Sequence, residues 1–294
     1  MSKIKKYIGY IIGIIFLVSA ISKLISIELF EQFIYSLKIT PLNISIILAR
    51  LVVAFELTIG LFYLLKIKQQ LTSLFTLASL IIFTLFIITI EFYGISDDCH
   101  CFGSALQLSN KASILKNMIL IVFVLTSDRK YETKKFTLHK VTFAITLSTI
   151  ISFAHHFPSH IVGINQEIEY CEPCLNKFIK QEKLEKESKI ICFISTKCKY
   201  CKLAAQKISI INSKANKPEK ILYVLWDDYH NASLFFNETK STAFNNVEMD
   251  VLSFLKLTQG QMPLIIVLKQ GKIIQTFRYQ DINEEYILDY LSEI

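Results

Sequence analysis

An apolar run from Tyr7 to Ile25 (YIGYIIGIIFLVSAISKLI) is followed by others of similar length at 44–65 and 71–93. These runs constrain the chain more than any other feature. A helix needs about 20 apolar residues to cross the hydrocarbon core of a bilayer. No water there can satisfy backbone N–H and C=O groups, so each run must close its own hydrogen bonds as a helix. Two shorter runs at 112–126 and 138–157 raise the expected number of spans to five, with Lys116 near the start of the fourth able to snorkel. Composition agrees, since 52% of the 294 residues are hydrophobic and mean hydropathy is +0.42, above the usual range of soluble domains. The first run could instead be a signal peptide, but no small-residue cleavage site follows it and further spans do.

The net charge is +7 and the pI near 8.9. The lysines crowd the ends of apolar runs rather than one amphipathic face, which favours a lipid bilayer over nucleic acid as partner. Lys3, Lys5 and Lys6 precede the first span, and Lys66 and Lys68 separate the second from the third. Arg129, Lys130, Lys134, Lys135 and Lys140 surround the connection from fourth to fifth. The opposite loops carry only Lys23, Lys38, Lys111 and Lys116. By the positive-inside rule the amino terminus is expected in the cytoplasm. Five crossings then deliver the carboxyl-terminal half to the periplasmic side of a bacterial inner membrane, where disulfides persist.

That orientation places Cys99/Cys101, Cys171/Cys174 and Cys198/Cys201 on one side of the membrane. The seventh cysteine, Cys192, alternates with Ile191 and Phe193 in a strand and reads as core. Close pairs close very short loops, so they point to redox or metal chemistry rather than to a scaffold. A Cys-x-Cys disulfide closes a strained small ring and suits exchange better than stapling. At the membrane surface it can meet both a lipid-soluble electron carrier and a soluble domain. His100, between these cysteines, either eases proton release or is merely solvated. Copper at Cys99-His100-Cys101 is an alternative, because soft thiolates select Cu(I). Within the second span, Glu56 could relay protons during quinone reduction or bond a neighbouring helix. Arg50 lies six positions away and does not share its helix face.

After the fifth span the composition changes. The expected layout is a four-span membrane domain (1–130), a fifth span (131–165), a linker (166–188) and an α/β domain (189–294). The linker holds Cys171-Glu172-Pro173-Cys174, and its later part (LNKFIKQEKLEKES) reads as a short solvated helix. Cys171/Cys174 is either a shuttle pair or a structural clip, and a linker able to swing favours the shuttle. Strands are predicted at 189–195 and 220–226, helices at 201–211 and 249–257, a hairpin at 264–277 and a final helix at 283–294. Cys198-Lys199-Tyr200-Cys201 falls between the first strand and first helix. A helix amino terminus stabilises a thiolate, and Lys197 and Lys199 add positive charge beside it. Cys198 is the expected nucleophile and Cys201 the resolving thiol.

The strand–CxxC–helix order, with Met262-Pro263 before a hairpin, resembles the thioredoxin fold family across the whole tail. The resemblance implies a cis proline at Pro263 that positions the substrate chain opposite Cys198/Cys201. The tail departs from the family in having no Trp before the motif, and Lys199-Tyr200 where Gly-Pro is usual. The membrane half, with Cys99-His100-Cys101-Phe102-Gly103, "VSAISKL" and "FELTIG", resembles the MauE/DoxX-like family of redox-associated membrane proteins over roughly 3–126. That resemblance implies redox activity at Cys99 and Cys101 and thiol oxidation outside the cytoplasm.

The expected whole is a polytopic α-helical membrane bundle carrying an α/β thioredoxin-like domain. Its expected function is a thiol–disulfide oxidoreductase acting on extracytoplasmic protein thiols, with a quinone as electron acceptor and no metal. Three alternatives remain: the same relay run as a reductant supply, a copper- or mercury-handling protein, and a non-catalytic assembly factor.

Overall fold

The structure, a computed structural model, describes residues 2–92, 109–127, 138–155, 157–158, 161, 168–226, 232–242 and 244–294. The chain divides into two units, Met1–Phe157 and Pro158–Ile294.

In the first unit the apolar runs become α1 (Ser2–Ile25), α3 (Leu42–Leu64), α4 (Gln69–Phe92), α5 (Asn110–Thr126) and α6 (Leu138–Ala154). Of these, α1 over Tyr7–Ile25, α3 and α4 are long and apolar enough to cross a membrane. Among the described residues, three helices have the length expected of the five spans, and α5 and α6 have 17 residues each. Helices α1 and α3 approach closely where glycines face each other. A Cβ on Gly13 would stand 2.9 Å from Cβ of Tyr63, and one on Gly60 2.6 Å from Cγ of Leu17. Small residues at such a crossing allow the close packing on which helix association in lipid depends.

A further helix, α2 (Ile27–Ser36), occupies what the sequence reading leaves as a loop. Its Ile27, Phe30 and Phe33 are buried in one cluster with Ala49, Val53 and Leu57 of α3 and Ile87 and Ile90 of α4. Lys23 also requires correction: it is no loop residue but sits in the last turn of α1, 1% exposed.

The second unit opens with α7 (Glu172–Gln181), followed by β1 (Lys189–Ile194), α8 (Lys199–Ala215), β2 (Ile221–Leu225) and α9 (Ala232–Thr239). Then come β3 (Asn245–Glu248), α10 (Val251–Thr258), β4 (Leu264–Lys269), β5 (Lys272–Phe277) and α11 (Glu284–Glu293). The strands form one sheet in the order β3-β2-β1-β4-β5. Strands β1, β2 and β3 are parallel, whereas β4 runs antiparallel to both β1 and β5. Ile191, Phe193, Leu222, Val224, Leu264 and Ile266 fill one face together with Leu175, Phe178 and Ile179 of α7 and Phe254 and Leu257 of α10. The other face carries Cys192, Tyr223 and Ile265 in register, and the Tyr223 hydroxyl donates to the Ala205 carbonyl of α8 at 3.4 Å. Where the sequence suggests a linker over 166–188 with a solvated helix, the structure has an amphipathic helix docked on the core. The apolar positions 175, 178 and 179 recur at helical spacing, and burying them fixes α7 to the sheet.

The β4–β5 turn uses Gln270 and Gly271 with φ of 50° and 74°, the left-handed pair of a tight hairpin. The Gly271 N–H donates to the Glu187 carbonyl at 3.0 Å, and a Cβ there would lie 2.1 Å from the Glu185 carbonyl oxygen. Gly271→Ala is expected to cost more than about 1 kcal/mol, read as a lowered Tm of this unit. An unchanged Tm would contradict this packing.

Candidate redox site

Strand β1 ends at Ile194, and Ser195 and Thr196, both buried, carry the chain to Cys198. The Cys198 N–H donates to the Ser195 carbonyl at 3.3 Å, which tightens the turn. Cys198 then caps α8, its backbone extended at φ −80° and ψ 123° and its Sγ accepting from the Cys201 N–H at 3.4 Å. A sulfur at the N-cap faces the positive end of the helix dipole, which favours the thiolate over the thiol. The first turn of α8 contains no acidic residue, while Lys197 and Lys199 flank the cysteine. Cys201 is 0% exposed and Cys198 is half-buried, the exposure order expected of resolving and attacking sulfurs. Cys192 lies within β1, where burial pushes its thiol pKa up, so it is inert.

Met262–Pro263 is cis. Pro263 lines a cavity of about 400 Å³ together with Tyr200, Gln261, Met262, Arg278 and Tyr279. Tyr200 lies inside the CxxC motif, and its ring is 5.6 Å from that of Tyr279. Lys207 of α8, 2% exposed, sets its ammonium 4.0 Å from the Tyr279 ring centroid. The groove beside the motif therefore offers aromatic surface and an arginine to an extended chain.

Cys171 and Cys174 form a disulfide at the start of α7. Its frame matches that of Cys198/Cys201, for Cys171 is the N-cap and its Sγ accepts from the Cys174 N–H at 3.2 Å. The Cys171 N–H donates to the Leu257 carbonyl at 2.9 Å, tying the pair to α10. The pair closes a short loop, with a sequence separation of 3, so its stabilisation lies at the low end for a disulfide. A Cys171→Ala, Cys174→Ala variant is therefore expected to lose about 2 kcal/mol, measured by thermal unfolding. Exchange of Cys198 with a small disulfide should persist in that variant.

Glu56 has its partner on a neighbouring helix. Lys23 Nζ lies 2.7 and 2.8 Å from its two carboxylate oxygens and 2.8 Å from Ser19 Oγ. Arg50 has a separate partner, Glu31 of α2, at 2.9 Å. Lys116 does not simply snorkel, because its half-buried side chain lines a cavity shared with Lys23 and Glu56. Cys99, His100 and Cys101 lie outside the described residues. Among the described residues, no three His, Cys, Asp or Glu side chains converge as a metal site.

Sequence reasoning placed Lys23 and Lys116 only as charges at span ends, and gave no role to Glu31 and Asn117 in the helical unit or to Arg278 and Tyr279 beside Pro263. Lys23 and Glu31 had a signal in the sequence, each being a charge next to or inside an apolar stretch that an opposite charge must offset. Arg278 and Tyr279 had none, since only the return of β5 brings them to the motif.

Parallel β1–β2–β3, antiparallel β4–β5, a CxxC at the helix following β1 and a cis proline before β4 make the second unit thioredoxin-like. Residues 1–127 match the family model of methylamine utilisation protein MauE. The amino-terminal part is MauE-like. The chain thus joins an amino-terminal part similar to MauE, with helices long and apolar enough to cross a membrane, to a thioredoxin-like domain. None of the curated proteins matches the chain. Among solved structures, a secreted disulfide oxidoreductase of Mycobacterium tuberculosis, homologous to E. coli DsbE, is similar at 11% identity. The match covers 38% of this chain and 86% of that one, with a TM-score of 0.31.

Proposed function

We propose that this protein oxidises the thiols of extracytoplasmic client proteins and passes the electrons to a quinone in the membrane. The observation that carries the reading is Cys198, a half-buried N-cap sulfur beside a groove lined by Tyr200 and the cis proline Pro263. A client thiolate attacks Cys198 Sγ of the Cys198–Cys201 disulfide and releases the Cys201 thiolate. The client's second thiolate then attacks its own sulfur in the mixed disulfide, freeing Cys198 and leaving the client oxidised. Pro263 and the groove hold the client chain extended during both steps.

Cys198 and Cys201, now carrying two electrons, reduce a disulfide formed by Cys99 and Cys101. That pair delivers two electrons and two protons to a quinone, giving a hydroquinone and restoring the disulfide. Because α7 is held in the core, Cys171–Cys174 serves here as a clip rather than as the shuttle expected of a linker. Lysine asymmetry supports an amino terminus in the cytoplasm and a thioredoxin-like domain on the periplasmic face of an inner membrane. Fusing both redox pairs in one chain raises their effective concentration, to the order of millimolar.

The test is turnover of the full-length protein in lipid nanodiscs with a two-thiol peptide and decylubiquinone. One disulfide should form in the peptide per quinone consumed, followed by the fall in quinone absorbance. Net reduction of an oxidised peptide instead would reverse the direction, and absence of exchange at Cys198 would overturn the reading.

A further inference from the structure

Within the helical unit, α1, α3, α4 and α5 enclose a cavity of about 440 Å³. That volume lies in the range of roughly 300–1,000 Å³ usual for small-molecule sites. Phe16, Phe55, Phe75, Phe83 and Phe86, with aliphatic side chains between them, make its walls mainly apolar. Against this surface stand a few polar side chains: Lys23, Glu56, Lys116 and Asn117. Lys23, 1% exposed, is held by Ser19 Oγ at 2.8 Å and by the Glu56 carboxylate at 2.7 Å. Asn117 is fixed by donating to Thr84 Oγ1 of α4 at 3.2 Å. Ionisable groups deep in an apolar bundle are costly, and they persist where a pathway or ligand uses them.

We propose that this cavity binds the quinone head group, an inference that rests on the relay proposed above. A quinone is a flat apolar ring whose two carbonyl oxygens only accept hydrogen bonds. The aromatic and aliphatic walls match the ring, and the Lys116 ammonium and Asn117 amide on the cavity wall carry N–H donors suited to its oxygens. Phe55, Phe75 and Ile82 line the cavity and are also exposed on the helix surface, at 43%, 57% and 67%. In a bilayer that side faces lipid, so a quinone enters laterally and leaves its isoprenoid tail among acyl chains. A soluble metabolite has no such route. The Lys23–Glu56 pair lines the same cavity, where reduction to hydroquinone consumes two protons with the two electrons. The sequence bearing Cys99 and Cys101 joins α4 to α5, two of the four helices around the cavity.

The deciding experiment photolabels the full-length protein in nanodiscs with an azido-ubiquinone and maps the adducts by mass spectrometry. Adducts are expected on α3 and α4 between residues 52 and 86, and excess decylubiquinone should displace them. Ser79→Phe, which fills the cavity without touching the ion pair, should weaken labelling at least about tenfold. Adducts elsewhere, or adducts that decylubiquinone does not displace, overturn the proposal. So does labelling by a photoactivatable phospholipid tail alone, which makes the cavity a lipid seat. The wild-type map decides the matter even where Ser79→Phe does not fold. Exchange of Cys198 with a peptide disulfide, measured in parallel without quinone, tests the underlying relay separately. Loss of that exchange with intact labelling sinks the relay and leaves the cavity assignment standing.

Discussion

Arg50→Met is expected to destabilise the helical unit by about 3–5 kcal/mol, the scale for removing one partner of a buried ion pair. Arg50 is 0% exposed and holds three elements together. Nη2 pairs with Glu31 of α2 at 2.9 Å, and Nη1 donates to the carbonyls of Ser152 and His155 at 3.1 and 2.8 Å. Ser152 is in the last turn of α6, where carbonyls lack a partner within the helix, and His155 directly follows it. In return, the Ser152 hydroxyl donates to the Arg50 carbonyl at 2.6 Å, and the Phe157 ring lies 5.0 Å from the guanidinium. Methionine keeps the volume but leaves the Glu31 carboxylate buried without its cation and the α6 carbonyls without a donor. Adding Glu31→Gln should recover part of the loss, because the uncompensated charge is then gone. Thermal unfolding in detergent, followed by circular dichroism, measures both variants. A single-variant loss below 1 kcal/mol would mean that the pair is a passive neighbour contact.

The second large effect is chemical. Cys198→Ser should lower exchange with a peptide disulfide by at least about a thousandfold, since a hydroxyl replaces the attacking sulfur. Cys201→Ser has a different expected outcome. Its Cys198 still attacks, but no buried thiol remains to resolve the product, so a mixed disulfide with the client accumulates. Non-reducing electrophoresis and mass spectrometry separate the two variants. Equal loss without a trapped adduct in Cys201→Ser would contradict the assignment of attacking and resolving roles. Tyr279→Ala, which opens the groove beside Tyr200, should weaken peptide binding more than it alters exchange with a small disulfide.

How much of this was legible beforehand depends on the range of the interactions involved. Helices α1, α3 and α4 follow from local hydropathy alone, because lipid leaves the backbone no other structure. The N-cap position of Cys198 also follows locally, from a β-branched run, a CxxC and a helical pattern in succession. The tail helix α7 looks more polar in sequence than it is in the fold, since its three core residues are diluted by lysines on the other face. Helix α2 was hidden for a related reason. Glu28 and Glu31 interrupt its apolar stripe, and Glu31 is tolerated there only because Arg50 meets it from α3. Strand β3, Asn-Asn-Val-Glu, has no apolar alternation and exists because β2 offers it a parallel edge. The Lys23–Glu56 pair spans 33 residues and forms only once Gly13 and Gly60 let α1 and α3 come close. The cavity beside it belongs to four helices at once, a property that no single stretch of sequence carries.

The most direct test of the relay is the redox state of Cys99/Cys101 and Cys198/Cys201 in living cells, trapped by alkylation and read by mass spectrometry. The comparison is made with and without a block in quinone synthesis. The account predicts both pairs oxidised in untreated cells and reduced when quinone is depleted. Pairs that stay reduced in both conditions would contradict it and place the electron flow in the opposite direction.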